Sequence, residues 1–209
     1  MAAVFFVLSN LFLLRAQDSI APNQSIKDYF DLARTFRHQN QLAPALKALE
    51  YAAEKAEKED NIKALLDTYH KFALLYLELD NSETTLFYWD RAGVLLKDIE
   101  YPYGSAVHKY IDATLLFREA NKFQARQKLE EAKALSNDKN LLNNMLLLEA
   151  RIFIELENFN EAATNYNALL VNSDKDERPY LATQANLGLA DMYYKDDNLE
   201  DSSKHAEAA

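Results

Sequence analysis

Residues able to carry catalytic chemistry are few in this chain, and their spacing fits neither a metal site nor a nucleophilic site. Histidine is the most versatile of them, since it acts as a base and as a metal ligand. The 209-residue chain has four, which are His38, His70, His108 and His205. None lies in a His-Glu-x-x-His or comparable ligand spacing, and the three glycines are too scattered for a phosphate-binding loop. The sequence therefore predicts no enzyme activity, no metal and no cofactor.

Composition excludes further classes of function. Cysteine is absent, so disulfides, thiolate metal sites and cysteine nucleophiles are excluded. The formal net charge of −10 argues against a nucleic-acid binder, because phosphate contacts require a basic face. The acidic run at 174–177 lacks the glycine and the ligand spacing of a calcium loop. We therefore expect a solvated loop there.

The composition indicates that helices are the elements that position any functional surface. The chain has only three Gly and four Pro, whereas an all-β protein of this length needs many turns rich in both residues. An all-α fold is predicted.

An internal repeat organises these helices. An alanine followed three residues later by a large side chain occurs five times, at Ala33/Phe36, Ala73/Tyr76, Ala113/Leu116, Ala150/Phe153 and Ala190/Tyr193. Twelve residues after each alanine comes a second small residue, and four residues further the first four copies have the large residues Leu49, Trp89, Leu129 and Tyr166. Small residues let two helix backbones approach closely, and the large residue fills the space beside the crossing. The pattern predicts a helix, a tight turn and an antiparallel helix in each copy.

Asn and Asp mark the predicted turns, since both tolerate left-handed backbone angles and cap helices. The turns within copies are at 40–42, 80–82, 120–122, 157–159 and 197–199. Longer connections between copies are predicted at 101–104, 136–138 and 172–176, the last followed by Pro179.

This pattern resembles the tetratricopeptide repeat (TPR) over residues 26–209. The resemblance implies a right-handed α-solenoid of about five helix-turn-helix units, near 26–59, 66–99, 106–139, 143–176 and 183–209. The spacing between copies is 40, 40, 37 and 40 residues, against the usual 34. We therefore expect helices or connections that are longer by about a turn and a half. Glu149 departs from the family pattern, and Ser202 and Ala206 make the fifth unit the weakest.

The resemblance also implies a concave groove lined by the first helix of each unit, and we expect a protein or peptide to bind there. Its candidate residues are Lys27, Phe30, Arg34, Arg37, His70, Tyr110, Phe117, Arg118, Arg151 and Tyr194. These positions are more basic and more aromatic than the chain as a whole, which favours an acidic peptide partner. The alternative is that they are solubility charges and packing aromatics. Phe30 and Arg34 replace the lysine and asparagine with which chaperone-binding members clamp two carboxylates, so that specialised role is not expected.

The first residues predict export. Residues 1–14 are apolar except for Ser9 and Asn10, which is too short a run to span a bilayer comfortably and is typical of a signal peptide. No basic residue precedes the run, so residues 1–17 are interpreted as a cleaved signal peptide or an uncleaved anchor, with a buried first helix as a third reading. Residues 18–25 are a predicted linker. The expected location is periplasmic or membrane-anchored on the extracytoplasmic side, with membrane contact only through an uncleaved anchor.

The predicted function is a non-catalytic scaffold that binds a protein or peptide. An exported repeat array resembles the extracytoplasmic sensing region of some bacterial signalling proteins, and the absence of a polar capping helix after residue 209 favours an array that continues. Two alternatives remain at this point. The repeats are accessory to an enzyme whose catalytic domain lies elsewhere, or they self-associate through the uncapped last unit.

Overall fold

The computed structural model describes residues 20, 21, 23–176 and 179–209. These residues are helices joined by turns, without a strand in the described ranges, so the predicted all-α class is confirmed. The predicted signal or anchor segment, residues 1–17, lies outside the described residues.

The described part of the chain has ten helices. They are α1 Ile26–His38, α2 Leu42–Lys58, α3 Ile62–Glu78, α4 Ser82–Leu95, α5 Pro102–Arg118, α6 Lys122–Lys133, α7 Lys139–Glu155, α8 Phe159–Asp176, α9 Pro179–Lys195 and α10 Leu199–Glu207. Consecutive helices pack as pairs, α1 with α2, α3 with α4, α7 with α8 and α9 with α10. Ion pairs from Lys109 to Glu131 and from Lys128 to Asp112 join α5 to α6. Pairing of consecutive helices is the arrangement of an all-α repeat fold.

The chain divides into two compact units, the first ending at Gly104 and the second running from Ser105 to Ala209. The core of unit 1 lies among α1–α4, and its largest buried side chains are Tyr29, Phe36, Leu49, Leu66, Tyr69 and Phe72. Ile20, in the predicted linker, is also buried in this core. The core among α7–α9 of unit 2 is built around Phe153, Ile154, Tyr166, Leu169, Leu181, Leu189 and Met192.

One backbone motif closes every helix pair. The residue at the first position of each predicted turn has a positive φ between 56° and 62°, at Asn40, Asp80, Ala120, Glu157 and Asp197. In the first pair, the Gln41 N–H donates to the Phe36 carbonyl at 2.8 Å and the Asn40 N–H donates to the Arg37 carbonyl at 3.0 Å. These two bonds are the Schellman arrangement, which satisfies the last carbonyls of a helix. The predicted turns within pairs are confirmed.

The same motif explains the long period. It also joins α2 to α3, where Asp60 has a φ of 50° and the Asn61 N–H donates to the Ala56 carbonyl at 2.9 Å. Helices α2 and α3 have 17 residues each, and two such helices with two three-residue turns occupy 40 residues. Most of the extra length lies at the start of first helices, since α3, α5, α7 and α9 begin four residues before the predicted unit starts.

Two of the predicted connections are helical instead. Pro102 is the first residue of α5, where its missing N–H has no helical partner to lose. The prediction of a connection at 172–176 is wrong, because α8 continues to Asp176. Residues 174 and 176 of the predicted acidic loop are therefore helical. The Asn172 amide donates to Asn143 Oδ1 of α7 at 2.7 Å, and the Ser173 hydroxyl donates to the Leu170 carbonyl at 2.7 Å. These bonds hold the last turns of the helix.

The small residues of the repeat lie at helix contacts, as predicted, in the first four pairs. Ala45, Thr85, Ala125 and Ala162 have no exposed surface. Ser202, their counterpart in the fifth pair, is half-buried. Trp89 is half-buried, and its neighbour Tyr88 stacks on Phe72 and Tyr76 with ring centroids 4.5 and 5.8 Å away.

Candidate binding clefts

A small cleft of about 130 Å³ lies between the first helices of the first two pairs, α1 and α3, in unit 1. Its lining residues are Phe30, Ala33, Arg34, Arg37, Ala45, Leu49, Lys71, Leu74 and Leu75. Helical spacing places Phe30, Arg34 and Arg37 on one face of α1, three and four residues apart. The structure therefore brings three predicted groove residues together.

The cations of this cleft are matched by acids. Asp31 bonds both Lys27, at 2.7 Å, and Arg34, at 2.6 Å. Arg37 pairs with Glu78 of α3 at 3.2 Å. The predicted basic strip is therefore close to charge balance in unit 1. The sequence predicted an excess of positive charge because Asp31 and Glu78 were not among the groove positions.

Lys71 is a further cation that the sequence reading missed. Its Nζ lies 4.7 Å from the centre of the Phe30 ring, within cation–π range. Burial lowers the pKa of Lys71, although Asp67 on the preceding turn opposes that effect. The spacing of four residues between Asp67 and Lys71 is the sequence signal for this electrostatic interaction.

A larger cleft of about 340 Å³ lies in unit 2 between α7 and α9, again the first helices of successive pairs. It is lined by Phe117, Arg151, Ile154, Glu155, Tyr166, Gln184, Leu187, Gly188, Asp191 and Lys195. Phe117 and Arg151 are predicted groove residues, and the structure brings them to one cleft. The α9 residues of the lining lie three, four, seven and eleven positions after Gln184, which is a one-face pattern visible in the sequence.

Gly188 and Tyr166 shape this cleft. A Cβ at Gly188 would lie 2.2 Å from the Tyr166 ring, so only glycine lets α9 pass over that ring. Tyr166 is 1% exposed. Burial raises its pKa to about 12 against a smaller opposing effect of Arg151, so the phenol is neutral at pH 7.

The two kinds of cation in this cleft differ in their partners, since the lysines pair with acids and Arg151 does not. Lys195 holds Glu155 at 2.9 Å and Asp191 at 3.6 Å, and Lys122 is 3.4 Å from Glu155. Arg151 donates to the Gln184 side-chain oxygen at 3.4 Å. Among the described residues, no carboxylate oxygen lies within 4.0 Å of the Arg151 guanidinium. The acids of the cleft are therefore held by lysines, whereas Arg151 has the uncharged hydrogen-bond partners Gln184 and Tyr166.

The remaining predicted groove residues do not line either cleft. His70 is 2% exposed, which removes it from any open surface, because its position on α3 faces the interior. Tyr110 is half-buried, while Lys27 and Arg118 are exposed. Tyr194 is 67% exposed and lies on α9, three residues after Asp191 and next to Lys195 in the sequence.

Across the ranges that the structure describes, no group of three or more His, Asp or Glu side chains is placed to hold a metal ion. None of the helices in those ranges combines the length and apolar character needed to cross a bilayer.

Comparison with protein-family models, curated proteins and solved structures gives no match to this chain.

Proposed function

We propose that the chain is a TPR-like, right-handed α-solenoid without catalytic activity that binds a protein or peptide along its first helices. One observation supports this most. In each unit, the cleft lies between the first helices of successive pairs, α1 and α3 in one and α7 and α9 in the other. These are the helices that line the binding surface in the family the sequence resembles.

The chemistry of both clefts suits a peptide. Each combines arginine with aliphatic and aromatic walls, and arginine offers a rigid fork of donors to carboxylate groups. An acidic peptide is the expected partner, although the cations of unit 1 already have internal counter-ions. Such a peptide would exchange with Asp31 and Glu78 for the same guanidinium groups.

Charge reversal on α1 tests this function. Fluorescein-labelled acidic and neutral peptides are titrated into the wild-type chain and into Arg34→Glu/Arg37→Glu, with fluorescence anisotropy as the readout. We expect acidic-peptide binding to be lost while the far-UV circular dichroism is unchanged. The control Lys58→Glu/Lys97→Glu reverses two exposed charges outside the cleft and keeps binding. Binding that survives the arginine changes would contradict the role of this face.

The proposed setting is extracytoplasmic, as the sensing or interaction region of a bacterial signalling protein. The support is the apolar run of residues 1–14. A fusion of the chain to a reporter enzyme that is active only after export tests the setting, and an inactive, cytoplasmic fusion would contradict it.

A further inference from the structure

We propose that the exposed face of α9 is a homodimer interface, on which a second copy of the chain packs its own α9 in the antiparallel direction. The two copies are related by a two-fold axis that passes beside Leu187. Such a dimer does not require the peptide binding proposed above, because residues of α9 alone hold it together.

A stripe of large side chains runs along the exposed face of α9. It consists of Tyr180, Leu187 and Tyr194, which are seven residues apart and 63%, 49% and 67% exposed. A spacing of seven keeps side chains close to one line along a helix, as in a coiled-coil seam. The opposite face of α9 packs into the core of unit 2 through Leu189 and Met192. The stripe is therefore an apolar and aromatic surface that another molecule can reach.

The corresponding positions of α7 are covered by packing. Leu147 and Ile154 lie 40 residues before Leu187 and Tyr194 in the sequence. Leu147 is half-buried against the core of unit 2, and Ile154 is buried within that core. Exposed tyrosine is typical of protein interfaces, because its ring offers a large apolar area and its hydroxyl offers a hydrogen bond. The stripe of α9 thus has the composition of an interface.

The order of residues along the stripe identifies a second copy as the occupant. In a two-fold interface, residue i of one copy contacts residue j of the other, and j contacts i. The stripe reads the same in both directions, because Tyr180 and Tyr194 are equally far from Leu187. An antiparallel pair centred on Leu187 therefore brings the two leucines together and places each Tyr180 against Tyr194 of the second copy.

The polar residues beside the stripe favour the antiparallel direction. Gln184 lies three residues before Leu187 and Asp191 lies four residues after it, on the same side of the stripe. The two-fold axis keeps that side, so the Gln184 amide of each copy can donate to the Asp191 carboxylate of the other. The Gln184 amide group is available, since its oxygen is the atom that bonds Arg151. A parallel pair would instead place two Asp191 carboxylates side by side, which is unfavourable.

Sedimentation equilibrium of the full chain measures this dimer. We expect reversible association with a dissociation constant of about 1–100 µM, because one pair of helices is a small interface. Leu187→Asp places two like charges at the axis and should weaken the dimer at least about hundredfold. The matched control Val171→Asp alters a similarly exposed apolar residue of α8, 52% exposed and outside the stripe, and should change the constant by less than about twofold. Both variants keep residues 1–17, so association through that segment would survive Leu187→Asp.

Cross-linking tests the direction of the pair, and the absence of cysteine from the chain makes each linked position unambiguous. With a short bismaleimide, Leu187→Cys should link to itself, because the axis brings two copies of this residue together. Tyr180→Cys alone and Tyr194→Cys alone should not link, since identical positions lie about 21 Å apart along the helix axis. A mixture of these two variants, one carrying a tag that separates products by size, should give the mixed dimer.

Four results would overturn the proposal. The wild-type chain is a monomer up to about 300 µM, or its dimer survives Leu187→Asp. Alternatively, Leu187→Cys gives no linked product at concentrations where the wild-type chain is a dimer, or Tyr180→Cys links to itself, which would identify a parallel pair.

Discussion

The two clefts occupy equivalent places in the helix order but differ in their charge. In unit 1, Arg34 and Arg37 each have a carboxylate within 3.2 Å. In unit 2, Arg151 faces an amide and a phenol, and lysines hold the nearby acids. The difference shows that a basic position in a repeat pattern does not by itself give a free cation. Whether the cation is free depends on the counter-ions on its own helix and on the neighbouring helix.

The interiors of the units differ as well. Buried Thr68 in unit 1 donates to a carbonyl of its own helix, and buried Thr85 donates to the carbonyl of Asn81, the N-cap of α4. The aromatic cluster around Tyr88 fills the space between α3 and α4. In unit 2, buried Glu149 accepts bonds from Lys133 of α6 at 2.6 Å and from Asn165 of α8 at 2.8 Å. Unit 2 therefore depends more on specific polar links between helices.

The largest expected effect comes from breaking that link. Lys133→Met leaves Glu149, which is 5% exposed, without its cation. We expect a loss of about 3 kcal/mol in the free energy of unfolding, because an uncompensated buried charge is strongly destabilising. Urea unfolding followed by circular dichroism measures it. The double variant Lys133→Met/Glu149→Leu should recover most of the loss, and failure to recover would place the cost in packing instead of charge.

Glycine substitutions test the packing difference. In unit 2, Gly188→Ala drives a methyl group into the Tyr166 ring, whose burial leaves it no room to move. We expect a net loss of about 1–2 kcal/mol after the gain in helix propensity. In unit 1, Gly104→Ala meets the half-buried Tyr101 ring at 2.5 Å and the buried Leu66 side chain at 2.9 Å, a milder overlap than the one at Gly188. Thermal unfolding should rank Gly188→Ala as the more damaging, and the reverse order would contradict the assigned rigidity of Tyr166.

Backbone strain differs between the turns of the two units. The left-handed helix ends of unit 1 use Asn40, Asp60 and Asp80, whereas unit 2 places Ala120 and Glu157 in that conformation besides Asp197. A residue with a Cβ is strained there and glycine is not. Ala120→Gly should stabilise the chain by about 1 kcal/mol, and Asp80→Gly should change it less. Equal effects in chemical denaturation would mean that the residue type at these turns carries no strain.

The smallest effect on stability is expected at the Arg37–Glu78 pair, whose side chains are 41% and 47% exposed. Exposed pairs contribute about 0.5 kcal/mol or less, so Glu78→Gln should barely alter unfolding. It should nevertheless make Arg37 resemble Arg151 and increase binding of acidic peptides to unit 1. A matched variant, Glu83→Gln, removes an exposed acid of the same unit outside the cleft and should leave binding unchanged.

The helical class, the pairing of consecutive helices and the turns were predictable because each depends on local chemistry. Asp80-Asn81 and Asp197-Asn198 show it most simply. In each dipeptide the Asp adopts the left-handed conformation and the Asn side chain caps the next helix. The extension of α8 through residues 172–176 was missed, because it depends on the bond from Asn172 to Asn143, 29 residues earlier in the chain.

The clefts were only partly predictable. Phe30, Arg34, Arg37, Phe117 and Arg151 were found because a repeat position fixes which face of a helix a residue occupies. The counter-ion of each cation was not predicted, since it depends on contacts between helices, such as that of Lys195 with Glu155, 40 residues away in the sequence. Gly188 gave no signal either, because its role follows from the Tyr166 ring beneath it.

The most direct test of the difference between the clefts is to observe the arginine side chains during a titration with acetate. Correlation spectra of the ¹⁵N-labelled Nε–Hε groups are recorded as sodium acetate replaces sodium chloride at constant ionic strength, with resonances assigned from Arg34→Gln, Arg37→Gln and Arg151→Gln. We predict that the Arg151 resonance shifts saturably, while those of Arg34 and Arg37 move little. An unchanged Arg151 resonance, or equal shifts for all three arginines, would contradict the distinction between arginines that are paired with carboxylates in unit 1 and an arginine with uncharged partners in unit 2.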